Sequence, residues 1–235
     1  DPINAQDAAT KAYVDSLILE IASEYKIQDV EGNVYNTIKI GYENGGQVWM
    51  TENLRTTKYN DGTDIPLVTD ETDWLNLTTP GYCYYNNDPE GYSVPYGALY
   101  NYYVVADTSS LNVCPEGWHV PTDAEWTTLS TYLGGESVAG GKMKETGTFY
   151  WTYWDEGSGA TNETDFSGLP GGVRSDLGGS DFAAIGTLGE WWSSTEAFPL
   201  DPEISWLRRL SYADYSLMQS WVVKTAGLSV RCLRD

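Results

Sequence analysis

The hydrophobic pattern of this 235-residue chain changes character near residue 26. Before it, Val14, Ile18, Ile21 and Tyr25 recur at spacings of four, three and four, and Leu17 widens the stripe. That is the a/d seam of an amphipathic helix. So few turns do not hold as an isolated helix. The seam therefore needs a partner, either the chain's own globular part or copies of the same segment. From Ile27 the texture becomes β-rich. Gln28 to Ile40 reads as two short strands around a Gly32-Asn33 turn, Gln47 to Leu54 as a further strand, and Tyr59 to Gly62 as a turn.

One globular helix is predicted, after Pro121. Thr122-Asp-Ala-Glu125 has the capping-box spacing, in which the Thr hydroxyl takes a free N–H and Glu125 reaches back. Trp126, Leu129 and Leu133 then share a face, and Gly134-Gly135 ends the run. Gly140 to Gly186 reads as glycine-rich loop with isolated aromatics, among them Tyr150, Trp151, Tyr153 and Trp154.

The stretch Gly189 to Asp235 is expected to organise the domain. Its ends, GEWWSSTE and GLSVRCLRD, read as buried strands. Between them, Trp206 to Tyr212 alternates: Trp206, Arg208, Leu210 and Tyr212 share one face, expected inward, while Leu207, Arg209 and Ser211 share the other. After a turn at Asp214, Tyr215 and Ser216 come Met218, Ser220, Trp221 and Val223, chemically unrelated side chains with no helical pattern. Exposed apolar and aromatic residues rimmed by polar ones mark recognition patches. Leu207, Arg209, Ser211, Asp214, Tyr215, Ser216, Met218, Ser220, Trp221 and Val223 are therefore the candidate ligand-binding residues. The alternative is packing under a loop or against a subunit. Trp191 and Trp192, adjacent on a strand, face opposite ways and are expected in the core.

Composition narrows the function. Aromatics are mostly Tyr (18) and Trp (10) against 4 Phe, a bias toward rings with a polar handle. The net charge is −21, from 34 acidic and 13 basic residues. No basic stripe exists to neutralise phosphates, which excludes nucleic acid and anionic membrane surfaces as partners. No segment approaches the ~18 apolar residues of a membrane span.

The three cysteines, Cys83, Cys114 and Cys232, match no zinc spacing, and a single histidine cannot complete a site. A Cys114–Cys232 bridge with Cys83 buried and free is the expected arrangement, against three reduced thiols. His119 is expected to anchor the helix entry. Asn86-Asn87-Asp88-Pro-Glu90 and Asp61-Gly-Thr-Asp64 offer oxygen ligands for Ca²⁺, but are equally good turn chemistry. No metal and no cofactor is assigned.

The motifs EGNVYNTIKIG, QVWMTENLRTTKYNDGTDIP, GYCYYNND, YGALYNYY, CPEGWHVPTDAEW, GATNETDFSGLPGG, WWSSTE and GLSVRCLRD appear in this order. Together they resemble the Fibrobacter succinogenes major paralogous domain over roughly residues 28–235. The resemblance implies an α+β, C-type-lectin-like fold of twisted antiparallel strands, few helices and long loops, with ligands taken near the C-terminal strands. It also implies kinship with variable proteins of diversity-generating retroelements. In these, the segment around Met218, Ser220 and Trp221 tends toward Asn and Tyr, so this chain departs toward apolar residues there. Separately, AQDAATKAYVDS (residues 5–16) resembles a linker of phage tail fibres and related trimeric surface proteins.

Two regions follow: a helical stalk or trimerisation segment, 1–26, and a ligand-binding domain, 27–235. The expected function is non-enzymatic recognition of a cell-surface protein or glycan by a homotrimer at a cell surface or virion tail fibre. A structural envelope domain is the alternative. An enzyme akin to the formylglycine-generating enzymes, with Cys83 as nucleophile, is disfavoured because no activating basic residue lies beside Cys83 in sequence.

Overall fold

The computed structural model describes Thr10 and residues 26–41, 46–106, 111–152, 159–175, 181–198 and 201–235. The expected N-terminal seam from Val14 to Tyr25 and the aromatic residues Tyr153 and Trp154 lie outside the described residues. Strands β1 (Lys26–Gln28) and β2 (Val34–Ile40) pair antiparallel as expected. The Asp29 carboxylate shapes their turn by accepting the Glu31 and Asn33 amides at 3.0 and 2.9 Å. Gly32 supplies the positive φ, +88°, that this turn needs.

The chain continues through β3 (Gln47–Met50), shorter than the strand expected to Leu54, and α1 (Glu71–Leu75). Next come β4 (Tyr82–Cys83), α2 (Pro89–Tyr96), β5 (Leu99–Tyr100), α3 (Tyr102–Val105) and β6 (Trp118–His119). Helices α4 (Asp123–Tyr132) and α5 (Glu136–Met143) follow, then β7 (Gly171–Arg174) and β8 (Phe182–Ile185). The last strands are β9 (Leu188–Phe198), β10 (Asp201–Ser211), β11 (Leu217–Val223) and β12 (Leu233–Arg234).

All strand pairs are antiparallel, in a five-stranded sheet β1-β2-β3-β12-β6, a three-stranded sheet β11-β10-β9 and two ribbons. The fold is thus α+β, with twisted antiparallel sheets and few helices. Strand β12 lies between β3 and β6, Leu233 facing Trp49 on one side and His119 on the other. The two ends of the domain therefore close on each other. Cys114 and Cys232, 118 positions apart, are disulfide-bonded beside that closure, and Cys83 is buried and free. A bridge across so long a loop stabilises by about 4–5 kcal/mol through the unfolded chain.

The capping box forms as expected: Thr122 accepts from the Glu125 amide while the Glu125 carboxylate accepts from the Thr122 amide. The expectation of a single clear helix is corrected, however. Helices α1 and α3 are one-turn pieces, and α2 is broken at Val94. Helix α5, ESVAGGKM, falls where loop was expected from Gly140 onward, because interior glycines hide a helix from propensity. Those glycines serve contact: a Cβ on Gly140 would lie 2.1 Å from the Ser216 carbonyl oxygen.

Strand β9 runs between two hydrophobic cores. Trp191 packs with Trp49, Trp126, Phe166, Leu210 and Leu217 on one side. Trp192 packs with Tyr100, Tyr102, Leu207, Val222 and Val230 on the other. Both tryptophans are fully buried, in agreement with the alternation of strand residues.

The tyrosine-rich interior has a pH consequence. Burial pushes the Tyr59 and Tyr84 phenols and the Cys83 thiol up to about 12, and raises Tyr100 well above the ordinary phenol value. Above pH 10, the ordinary phenol value, the unfolded chain has released protons that the folded chain keeps. Folded-state stability is then full below that pH and is lost as pH rises toward about 12. Lys144 and Arg231, lowered by burial, oppose this with fewer groups. The urea midpoint is expected to fall sharply between about pH 8 and about pH 11. An unchanged midpoint would show that these phenols are not caged.

Candidate binding surface

Strands β10 and β11 form a hairpin in which Ile204 faces Val223, Trp206 faces Trp221, Arg208 faces Gln219, and Leu210 faces Leu217. The intervening pairs, Ser205 with Val222, Leu207 with Ser220 and Arg209 with Met218, point to the opposite face. Each face is covered along only part of its length. On the first, Arg208, Leu210 and Leu217 are buried while Trp221 and Val223 are 55% and 36% exposed. On the second, Ser205, Leu207 and Val222 are buried and Met218 is 43% exposed.

This corrects two expectations. Leu207, assigned to the display face, is 0% exposed and packs in the core with Trp192. Trp206, expected inward, is only half-buried and shares its face with exposed Trp221. Alternation identifies which residues share a face. It does not reveal that cores press on both faces at different heights.

The other candidates cluster at the turn. Asp214 accepts the Ser216 amide at 2.7 Å, and the Ser211 hydroxyl accepts the Ala213 amide at 3.1 Å. Tyr215, 48% exposed, crowns it. Beneath lies Lys144, whose ammonium donates to the Ser211 carbonyl at 2.9 Å and to the Asp214 carbonyl at 2.5 Å. Burial lowers the Lys144 pKa, opposed by the Asp214 charge. The Gly141 amide donates to the Tyr215 carbonyl at 3.0 Å. Gly159 backs the Tyr215 ring so closely that a Cβ there would lie 1.7 Å from it.

Arg209 is committed inward to Glu190, whose pKa burial raises against the pull of that guanidinium. Arg208, fully buried, donates to Asp123 and Glu136, each at 2.6 Å, and to the Thr127 hydroxyl at 2.8 Å. Asp123 also accepts from the Gln219 side chain at 2.9 Å. Asp123 is a positioning residue that sequence reading missed. Its place in the first turn of the capped helix was visible, but its reach across 85 positions to Arg208 was not.

Elsewhere the reactive side chains are occupied. A recess of about 380 Å³ is lined by His119, Thr122, Ser194 and Asp235. The His119 ring nitrogens meet Asp235 at 2.6 Å and Glu125 at 3.0 Å, which ties the helix cap to the last residue. Cys83 is wholly buried, and its thiol is pushed up to about 12 against the pull of Arg174, which disfavours thiolate. Of the acidic clusters, Asp88 caps α2 through the Gly91 amide, and Asp61 accepts the Thr63 amide at 2.8 Å. Both do turn and cap chemistry.

The hairpin turn thus rests on one ammonium. Lys144→Met is expected to speed amide exchange at Ser216 by about tenfold, the effect of losing a clamping hydrogen bond. Unchanged exchange there would show that Lys144 does not hold the turn.

A model of the Fibrobacter succinogenes major domain matches the chain over residues 42–234. No curated protein and no solved structure matches it. The match runs from the loop after β2 through β12 and includes the whole hairpin, so the chain belongs to the Fibrobacter succinogenes major domain family.

Proposed function

We propose that the protein is a non-enzymatic recognition module whose β10–β11 hairpin contacts a cell-surface protein or glycan. One observation carries this reading. Tyr215, Met218, Trp221 and Val223 are exposed on a hairpin whose alternate residues are buried in two cores. Tyr, Trp and Met are among the residues that interfaces favour, Tyr and Trp because they offer large contact area at low entropic cost and Met because it adapts its shape. A rigid backbone beneath them reduces the ordering cost of binding. The finer assignment, a C-type-lectin-like domain, is supported by the antiparallel sheets and by the pairing of the last strand with β3. Kinship with retroelement-diversified variable proteins rests on the motif resemblance.

The N-terminal sequence, with its tail-fibre-like linker, favours a homotrimer at a virion or cell surface. Three weak sites on one stalk would then act together. A structural envelope domain without a ligand is the competing reading. Catalysis by Cys83 is disfavoured by its burial and raised pKa.

Trp221→Ala and Met218→Ala are expected to abolish retention on a glycan array or on a panel of intact cells, and to leave Tm unchanged, since neither side chain is buried. Retained binding would remove the hairpin from the site. A Tm loss of many degrees would make these residues structural. Light scattering of the full chain is expected to give a trimer that becomes a monomer when the chain starts at Ile27. A monomer in both cases would remove the stalk reading and leave the domain's own surface untouched.

A further inference from the structure

Strand β11 is the edge of its sheet, with β10 on one side and no strand on the other among the described residues. The direction of its backbone groups can be read from the ladder. The Lys224 amide donates to the Glu203 carbonyl at 2.8 Å. Antiparallel pairing alternates, so residues 222, 220 and 218 also turn their backbone groups toward β10. Trp221 and Gln219 turn theirs away from it. The same parity appears at Tyr215, whose carbonyl points outward and is taken by the Gly141 amide. Helix α5 also packs against β11, and past it no further strand pairs with this edge among the described residues.

Proteins normally guard such an edge with Lys, Pro, a bulge, an inward charge or a covering helix, and here α5 covers the edge only in part. The sequence of β11, LMQSWVV, has none of these residues. An uncharged seven-residue edge in a chain of net charge −21 is a template for strand pairing.

We propose that β11 receives an extended segment of a partner protein as an added strand, and that this segment is basic. The first half rests on the unpaired edge. The second rests on charge. Among the described residues the cations around the hairpin are spent internally: Lys144 on carbonyls, Lys142 on Glu163, Arg208 on Asp123 and Glu136, Arg209 on Glu190, and Lys224 on Glu196. Asp201 and Glu203, by contrast, are exposed and enter no ion pair among the described residues. Lys or Arg on one face of an incoming strand would be drawn toward these carboxylates, and on its other face toward the ring of Trp221. A second copy of this chain is the wrong occupant, since it brings the same carboxylates to the contact.

This inference rests on the hairpin being the binding surface, and the test separates the two. A phage-displayed library of random peptides of about eight residues is panned against the intact chain. Enriched peptides are expected to carry Lys or Arg at alternate positions and to protect the Gln219 and Trp221 amides from exchange. Gln219→Pro deletes one outward N–H and keeps every exposed apolar side chain, so it is expected to weaken these peptides about tenfold, whereas Gln219→Ala, which loses only the side-chain bond to Asp123, is expected to leave them bound. If that variant melts early, N-methylation of alternate peptide bonds gives the same readout on the parent chain. Peptides weakened by Trp221→Ala but indifferent to Gln219→Pro and to N-methylation would keep the surface and overturn strand addition. No enrichment, or enriched peptides without basic residues, would overturn the proposal. Protection of the same amides by self-association alone would assign the edge to a second copy instead.

Discussion

The structure depends on burying one guanidinium that makes no ion pair among the described residues and feels only the Glu52 charge nearby. Arg231 lies between the rings of Phe166 and Trp191, 4.3 and 5.6 Å from their centroids, and is completely buried. It donates to the Phe166 carbonyl and, at 2.8 Å, to the Asn53 side-chain oxygen. The same oxygen accepts the Trp191 indole N–H at 2.8 Å. The Asn53 amide nitrogen, in turn, donates to the Tyr96 carbonyl at 2.8 Å and the Ser229 hydroxyl at 3.2 Å. One asparagine therefore joins the segment after β3, the end of α2, strand β9 and the segment entering β12. Burial pushes the Arg231 pKa down to about 9, a measure of how costly the charge is to place there. Removing any one acceptor would leave an uncompensated buried group, so the node tolerates only one arrangement of these segments.

From this node the hairpin follows. Fixing Trp191 fixes β9, and β9 is the strand on which β10 is laid. Trp192, one position on, roots the same strand in the second core. The hairpin is then held from beneath by two cations: Arg208 against Asp123 and Glu136, and Lys144 against the turn carbonyls. Of the outward side chains of β11, Gln219 joins one clamp through Asp123, while Met218, Trp221 and Val223 take part in neither. Stability and surface chemistry are consequently separated on this element. That separation is the physical condition under which residues such as Met218 and Trp221 can differ between relatives without changing the fold.

Much of this was legible in the sequence where the chemistry is local. The capping box of Thr122 and Glu125, the Gly32-Asn33 turn, the structural role of His119 and the burial of adjacent Trp191 and Trp192 all follow from spacing or alternation. What escaped is non-local. Arg208 was placed inward by parity, but Asp123 and Glu136 could not be named as its partners, because nothing in the sequence brings α4 and α5 under β10. Leu207 was misplaced for the same reason: a strand with a core on each side has no free face at that height. Helix α5 was missed because its glycines, read as loop signals, exist to let Ser216 and Tyr215 approach. At the candidate surface, residues whose exposure depends only on the open end of the hairpin, Trp221 and Val223, were correctly anticipated.

Arg174, Arg208, Arg231 and Lys144 are all buried, so a large part of a small basic complement is used to pin aromatic rings and backbone carbonyls from within. Arg174, for instance, lies 4.5 Å from the Trp74 ring centre and donates to the Val68 and Thr69 carbonyls. The surface is acidic chiefly because 34 acidic residues face 13 basic ones, and the inward placement of four of those cations adds to the imbalance. The field around the exposed aromatics is then negative. An approaching basic segment is drawn in and an anionic one turned away before any side chain touches. On the hairpin itself Asp201 and Glu203 carry the charge, which leaves the exposed apolar positions of β11 free to read shape.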